Sequence, residues 1–379
     1  MKNRLRDKLP VPHDAAKNRL NSQLIRWFEI HKRDLPWRRT TDPYAIWLSE
    51  MMLQQTQVVT VIPYYERFLR RFGTISDLAA ASLEDVLKLW AGLGYYRRAK
   101  HLHRAAKTIQ EQFGGVFPST VGALRKLPGI GRYTAGAVAS IAFDRPAAVL
   151  DGNVMRVLTR LGAVRGNIAL PSVRESLWKL AEALVPRHGA GTWNQALMEL
   201  GATICVPKNP RCGACPIREM CRAHALGLEE KLPVKSVKRK IPTVHLAVVV
   251  VESSRGFLLC KRGTGGLWEH LWEFPAVVMK SARANDRAAA ALFKDLVGTH
   301  LSLQRLPGKL VHRLTHRVLS YSLFYCHWKK RVQSARALKH PEVNYEAFRW
   351  IKNINVLPTA AITGRIWEAV KQQEQIGGK

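Results

Sequence analysis

Two carboxylates and four cysteines are the residues of this chain whose types and spacing could do chemistry. Glu50 lies in the apolar stretch Ser49-Glu50-Met51-Met52-Leu53, and on a helix it shares a face with Ile46 and Leu53. Burial without a cation raises a carboxyl pKa and keeps the proton on near neutral pH, as a general acid requires. A core glutamate paired with an arginine is the equally open reading. Asp151 follows the apolar run Ala147 to Leu150, and Asp151-Gly152-Asn153 opens a helix. Cys205, Cys212, Cys215 and Cys221 fall within 17 residues as C-x6-C-x2-C-x5-C. Zinc sites usually show two separated C-x-x-C pairs, whereas four unevenly spaced thiolates on one loop suit an iron-sulfur cluster.

Asp151 is delivered by the stretch before it. Pro128 stops a short helical segment, Leu127-Pro128-Gly129-Ile130-Gly131 makes a tight turn, and Arg132 to Phe143 reads as a second helix. Glycine has no Cβ, so Gly129 and Gly131 allow close approach to the backbone, and the helix N-terminus that follows favours an anion. Such a hairpin grips a nucleic-acid phosphate without reading sequence, although Gly-x-Gly alone is more often an ordinary turn. The carboxylate that comes next sets it apart.

Composition names the partner class. Sixty Lys plus Arg stand against 28 Asp plus Glu, a formal charge of +32, which points to a polyanion. Hydrophobic content of 47% excludes disorder, and 379 residues predict two or three domains. No apolar stretch reaches the ~18 residues of a membrane span. The basic N-terminus lacks an apolar core segment, so no secretory signal is read and a cytoplasmic protein is expected, nucleoid-associated in a bacterium. An intracellular chain favours metal over disulfides at the cysteine cluster, and Cys260 and Cys326 read as buried small side chains.

Taken in order, residues 14 to 31 predict a helix with Leu20, Leu24, Trp27 and Phe28 on one face. Arg33-Asp34-Leu35-Pro36-Trp37-Arg38 is a compact loop whose Trp37, beside Arg38, suits stacking on a base. Asp42 and Pro43 open a helix to about Gln54. Gln54-Gln55-Thr56-Gln57 breaks the amphipathic pattern with amides able to enter a base stack. Helices are expected over Val58 to Phe72, over Ser82 to Trp90 with a Ser82–Asp85 capping box, and over Tyr95 to Gln112. Gly92-Leu93-Gly94-Tyr95-Tyr96 fits an aromatic wedge beside phosphate ligands. Ser172 and Glu175 are expected to cap a helix to about Val185, and Trp193 to Cys205 forms another, carrying Asn194 and Gln195. Lys208 and Arg211 lie inside the cysteine loop, so a structural and docking role suits the cluster.

A basic tether with Lys235, Lys238, Arg239 and Lys240 marks a boundary. Strands are expected over Thr243 to Val251 and Phe257 to Lys261 and near Lys309 to Leu314, Val318 to Trp328 and Phe348 to Ile351, with helices near Asp286 to Val297 and Thr359 to Gln373. The organisation read is an all-α domain over 1–225, a linker over 226–242 and an α+β domain over 243–379.

The ordered motifs closely resemble those of the MutY adenine DNA glycosylases, in the endonuclease III-like helix-hairpin-helix superfamily. They are Leu35-Pro36-Trp37-Arg38, Ser49 to Gln57, Gly92 to Tyr96, Leu127 to Gly131, Leu150 to Asn153, Asn194-Gln195-Ala196, the cysteine spacing and Leu271-Trp272-Glu273-Phe274-Pro275. The resemblance implies an all-α helix-hairpin-helix glycosylase domain with a [4Fe-4S] cluster loop, plus a Nudix-like C-terminal domain. It implies excision of adenine opposite 8-oxoguanine or guanine in double-stranded DNA, by a monomer. The pocket for the flipped adenine would lie near Leu35, Trp37, Arg38 and Gln195. Glu50 would protonate N7, Asp151 would stabilise the oxocarbenium-like sugar, and Asn153 would orient Asp151 or water. Gln55 and Tyr95 would wedge the duplex, with Gln54 on DNA. Thr315 and His316 stand where relatives often carry Ser-His for recognition of 8-oxoguanine.

Two departures carry consequences. Related lyases follow the hairpin with a nucleophilic lysine, and here that place holds Tyr133, which implies a monofunctional glycosylase. The Nudix metal box is absent: its paired carboxylates would fall on Asp295 and Leu296, and its Arg-Glu pair on Ala291 and Leu292. Nucleotide-pool hydrolysis is thereby disfavoured. The rival of another class is a non-catalytic iron-sulfur DNA-binding protein, which would not need Glu50 and Asp151 together.

Overall fold

The computed structural model describes residues 13–236, 241–279, 289–291, 294, 302–328, 339–340 and 343–377. Backbone packing separates two compact units, Met1–Ala80 with His101–Lys238 and Ala81–Lys100 with Arg239–Lys379.

The first unit is helical, and local chemistry sets its boundaries. Helix α1 (Asp14–His31) buries Leu20, Leu24 and Phe28. A 3-10 turn, Pro36–Arg38, precedes α2 (Pro43–Leu53), whose N-cap Asp42 accepts from the backbone N–H groups of Tyr44 and Ala45. Tyr44 to Met52 are all buried, so α2 is a core helix and Glu50 is inside it. Helix α3 (Val58–Arg71) matches expectation, and α4 (Ile75–Ala80), too short to show a period, was not foreseen. Helix α5 (Leu83–Trp90), which belongs to the second unit, is capped by Ser82 on the N–H of Asp85, and α6 (Arg97–Phe113) begins in that unit and ends in the first.

Helices α7 (Val121–Leu124) and α8 (Arg132–Phe143) flank the glycine turn. Gly129 has φ +76, a conformation that favours glycine, and a Cβ there would lie 2.4 Å from that of His101. Its smallness is therefore required by the protein's own His101, while the space beside Gly131 is open, a correction to reading both as clearance for an outside group. Asp151 is the N-cap of α9 (Gly152–Leu161). Helix α10 (Pro171–Leu184) starts one residue before its expected cap: Leu170 is the N-cap, without a side-chain bond, because Pro171 fits the first helical position. Glu175, freed from capping, pairs with Arg132 at 2.9 Å.

Helix α11 (Ala190–Thr203) is the scaffold of the site. The Asn194 amide donates to Ser140 Oγ and to the carbonyl of Ala147, both at 2.8 Å, pinning the end of α8 and the run that delivers Asp151. Gly201 lets α11 close on α9, since a Cβ there would lie 2.7 Å from that of Asn153. Trp193 and Leu197 on α11 share a core with Leu20, Leu24 and Phe28, and each such large side chain fully buried contributes about 1.5–3 kcal/mol. Helix α12 is Arg222–Ala225. Residues within 226–236 pack on this unit, with the Leu232 carbonyl accepting from Arg160 and that of Val234 from Ile168. Lys238, Arg239 and Lys240 lie outside the described residues.

The second unit is built on a mixed sheet. Strand β1 (Thr243–Ser253) turns through Ser253-Ser254-Arg255-Gly256 into β2 (Gly256–Arg262), with Glu252 opposite Phe257. Two short strands not anticipated, β3 (Trp272–Glu273) and β4 (Ala276–Met279), add to β2 and β1. The rest are β5 (Gln304–Arg305), β6 (Leu310–Arg313), β7 (Val318–His327), β8 (Lys339–His340) and β9 (Val343–Ile351). Strand β7 lies parallel to β1 over its length, from Thr243 opposite Val318 to Glu252 opposite His327, and β9 is antiparallel to β2. Helix α13 (Ala361–Gly377) follows. The helix expected over Asp286 to Val297 falls mostly outside the described residues, as do Leu292, Asp295 and Leu296 of the Nudix-box comparison; Ala291 is helical.

Candidate active site and cluster loop

Helices α2, α8 and α9 bring Glu50, Tyr133, Asp151 and Asn153 to one place, although 101 positions separate the two carboxylates (151 minus 50). Glu50 is 5% exposed, and its Oε2 accepts a 2.6 Å hydrogen bond from the Tyr133 hydroxyl. Burial pushes its carboxyl up to about 7, with the charge of Asp151 adding to the rise; the Tyr133 bond and the field of Arg38 oppose it. Among the described residues no arginine, one of the two expectations, is in direct contact with Glu50. Its contact is a neutral phenol.

Asp151 is held differently. Its Oδ1 accepts from the backbone N–H of Val154 at 2.7 Å and its Oδ2 from the Asn153 amide at 3.1 Å. Burial raises its pKa, while these bonds and the charge of Arg156 pull the other way. A carboxylate at a helix N-terminus that accepts two hydrogen bonds is the one of the pair suited to stay charged.

The loop before α2 is ordered by an acid that the sequence reading passed over. Glu199 on α11 is 1% exposed. Arg33 grips it through Nε at 2.7 Å and Nη2 at 2.8 Å, and Arg38 Nη2 reaches its Oε2 at 2.8 Å. Burial would raise the Glu199 carboxyl, but the two guanidinium groups outweigh it and hold the group at about 2. The Arg38 guanidinium lies over Phe28, 5.1 Å from the ring centroid, and Trp37 packs edge-on against Tyr65. Leu35 is buried beside Trp37, and Gln195 is half-buried on α11.

Gln54 donates to Thr134 Oγ1 at the start of α8, at 3.3 Å. Gln55 is exposed at φ +60, an uncommon conformation for a residue with a Cβ. In the other unit Tyr95 has φ +49 and is 43% exposed. Its loop is clamped at the Gly94 carbonyl, which accepts from Trp90 Nε1 at 3.0 Å and Arg98 Nη2 at 3.1 Å. Arg313 pairs with Val318 across β6 and β7, and Leu314 N–H donates to the Arg317 carbonyl, so exposed Thr315 and His316 are the two central residues of a tight hairpin.

The four clustered cysteines, none in a disulfide, line one cavity together with Arg160. Burial pushes the Cys215 thiol up to about 12, and Cys212 and Cys221 shift upward for the same reason. Arg160 Nη1 donates to Cys205 Sγ at 3.3 Å and to the Val206 carbonyl at 2.8 Å. His224 and Glu229 stand beside Cys212 but bond each other at 2.6 Å. An all-sulfur donor set with a cationic group aimed at it fits an iron-sulfur cluster. Arg156 joins this loop to the acid site: Nε donates to the Cys205 carbonyl at 2.6 Å and Nη2 to Asn153 Oδ1 at 2.9 Å.

Known protein families match most of the chain. Residues 48–183 match the HhH-GPD superfamily of base excision DNA repair proteins, 205–221 the iron-sulfur binding domain of endonuclease III, and 246–369 the NUDIX domain. Adenine DNA glycosylase of Rattus norvegicus is 38% identical over 357 residues, 79% of this chain and 69% of that protein. The chain belongs to the adenine DNA glycosylases. The Homo sapiens relative is also 38% identical, over 82% of this chain and 67% of its own, and one from Buchnera aphidicola is 41% identical over 67% and 74%. A solved thermostable thymine-DNA glycosylase superposes with a TM-score of 0.50 at 30% identity, covering 56% of this chain and 98% of its own.

As an adenine DNA glycosylase the protein is a DNA N-glycosylase of base excision repair, with DNA as its substrate. The protein is an iron-sulfur protein with a [4Fe-4S] cluster, and Cys205, Cys212, Cys215 and Cys221 are the thiolates that would hold it and so tie residues 205–221 together.

Proposed function

We propose that the protein hydrolyses the N-glycosidic bond of adenine opposite 8-oxoguanine or guanine in duplex DNA, as a monomer, without cutting the strand. The observation that carries the mechanism is the contrast between the two carboxylates: Glu50 is buried against the Tyr133 hydroxyl, with burial pushing its carboxyl up to about 7, while Asp151 caps a helix and accepts two hydrogen bonds.

The flipped adenine enters beside Leu35, Trp37, Arg38 and Gln195, and Gln54, Gln55 and Tyr95 support the opened duplex. Gly131 offers open backbone at a helix N-terminus for a phosphate, and Gly129 shapes that turn. Glu50 gives its proton to N7 as the C1′–N9 bond breaks, so the bonding pair leaves with a neutral base. Asp151 balances the cationic sugar until water adds at C1′ and passes its proton to the Glu50 carboxylate, and Asn153 keeps the Asp151 carboxylate aimed. No lysine amine stands at position 133 to form a Schiff base, which supports hydrolysis alone. Thr315 and His316 present two polar groups at a hairpin tip for the opposite base. The absent carboxylate box argues for a 243–379 domain that recognises without hydrolysing, after an all-α domain over 1–225 and a linker over 226–242.

Among the described residues no helix is long and apolar enough to cross a membrane, and a cytoplasmic, DNA-associated location suits the charge of +32. The test is single-turnover excision on an adenine:8-oxoguanine duplex by wild type and Glu50→Gln. Loss of excision with retained duplex binding is expected, and wild-type excision by the variant would remove the acid role. Strong borohydride trapping by wild type would overturn the monofunctional reading.

A further inference from the structure

Glu199 is a buried acid of the helical unit outside the carboxylate pair. It is 1% exposed, yet it stands in the apolar sequence Ala196-Leu197-Met198-Glu199-Leu200, where nothing local neutralises it. Both its oxygens are used by the pocket loop: Oε1 takes the Arg33 N–H at 3.2 Å and Nε at 2.7 Å, and Oε2 takes Arg33 Nη2 and Arg38 Nη2, each at 2.8 Å. Arg38 is further fixed by donating Nη1 to the Arg33 carbonyl at 3.0 Å and by lying over Phe28. One carboxylate thus ties together the backbone and both guanidinium groups of the segment that carries Leu35 and Trp37. Three elements bring ionisable groups to bear on Glu50: α8 brings Tyr133, the cap of α9 brings Asp151, and the 3-10 turn brings Arg38, the single cation among them.

We propose that Glu199 is a positioning residue for excision, which fixes Arg33 and Arg38 at the adenine pocket and sets how much of the Arg38 charge Glu50 feels. The inference rests on Glu50 acting as the acid. Three charges decide it, one negative on Glu199 and two positive on Arg33 and Arg38. Neutralising Glu199 leaves both guanidinium charges uncompensated while the Arg33 carbonyl and Phe28 still hold Arg38. The ionised form of Glu50 is then favoured. Removing Arg33 instead leaves Glu199 facing Arg38 alone and shifts the balance the other way.

The experiment is a cycle of pH profiles of single-turnover adenine excision by the cluster-loaded full chain, with Glu199→Gln, Arg33→Gln and the double variant, folding being checked by thermal melting. Loss of rate on the alkaline side reports ionisation of Glu50. That limb should move to lower pH in Glu199→Gln, to higher pH in Arg33→Gln and back to the wild-type position in the double variant. Each displacement should be on the order of half a pH unit, a fraction of the 1–3 units produced by a charge in direct contact. A folded Glu199→Gln with an unmoved limb would overturn the proposal, as would a double variant that keeps the single-variant shift. Should Glu199→Gln not fold, Arg33→Gln decides the question, and a limb that stays in place or moves to lower pH there would overturn the proposal. Wild-type excision by Glu50→Gln would instead defeat the underlying acid role, which keeps the two failures apart.

Discussion

The Tyr133 hydroxyl donates to Glu50 Oε2 across 2.6 Å, so the carboxyl proposed as the acid is bonded to a phenol. The bond favours the ionised form of Glu50 and partly offsets burial. Tyr133→Phe removes it, so the Glu50 pKa should rise above about 7 and the alkaline limb of excision should move upward by about one pH unit. A limb that stays in place or moves down would show that the phenol does not tune this acid.

Glu50 should also be a stability liability at alkaline pH. Burial pushes its carboxyl from the ordinary 4.5 up to about 7, so the native state holds the proton more tightly. Stability from this group is therefore complete below pH ~4.5 and is lost as pH rises through ~7. Glu50→Gln escapes that loss. The variant should be more stable than wild type at pH ~8, by up to roughly 3 kcal/mol, and so unfold at a higher temperature there, but at nearly the same temperature at pH ~4. Equal differences at both pH values would mean that Glu50 is not a buried titrating group.

Arg156 makes the cluster loop and the Asn153–Asp151 pair parts of one hydrogen-bonded run, through the Cys205 carbonyl and Asn153 Oδ1. Arg156→Gln cannot span both and leaves buried acceptors unpaired, a loss of about 1–3 kcal/mol for each. Visible cluster absorbance per protein and single-turnover excision should fall together. Full absorbance with a wild-type rate would show the two ends to be independent.

Local signals in the sequence carried the helix starts, because capping needs only a few adjacent residues. Asp42-Pro43, Ser82 with Asp85, and Asp151 all cap where expected, whereas Ser172 does not, since Pro171 takes the first helical position. The α4 helix and the strands β3 and β5 were too short to show a period. In the site, Glu50 was legible as an acid in an apolar run. Glu199 carried the same signal, between Met198 and Leu200, and went unread because its two cations lie 161 and 166 positions away. The Tyr133 contact spans 83 positions and no pattern along the chain encodes it.

The last prediction concerns Thr315. Arg313 opposite Val318, with the Leu314 N–H on the Arg317 carbonyl, leaves Thr315 and His316 as the exposed centre of the turn between β6 and β7. A hydroxyl there is free to donate or accept, while the β-methyl restricts its rotamer. Thr315→Ser keeps the hydroxyl and should leave the preference for 8-oxoguanine over guanine nearly unchanged. Thr315→Val keeps the shape and removes one hydrogen bond, a loss of ~0.5 to 1.5 kcal/mol, so the preference should erode several-fold. Because the residue is exposed at a turn, neither variant should change the melting temperature appreciably, which separates recognition from folding. Excision rates on matched 8-oxoguanine and guanine duplexes give the ratio directly, and a ratio that Thr315→Val leaves intact would mean that this hydroxyl does not read the opposite base.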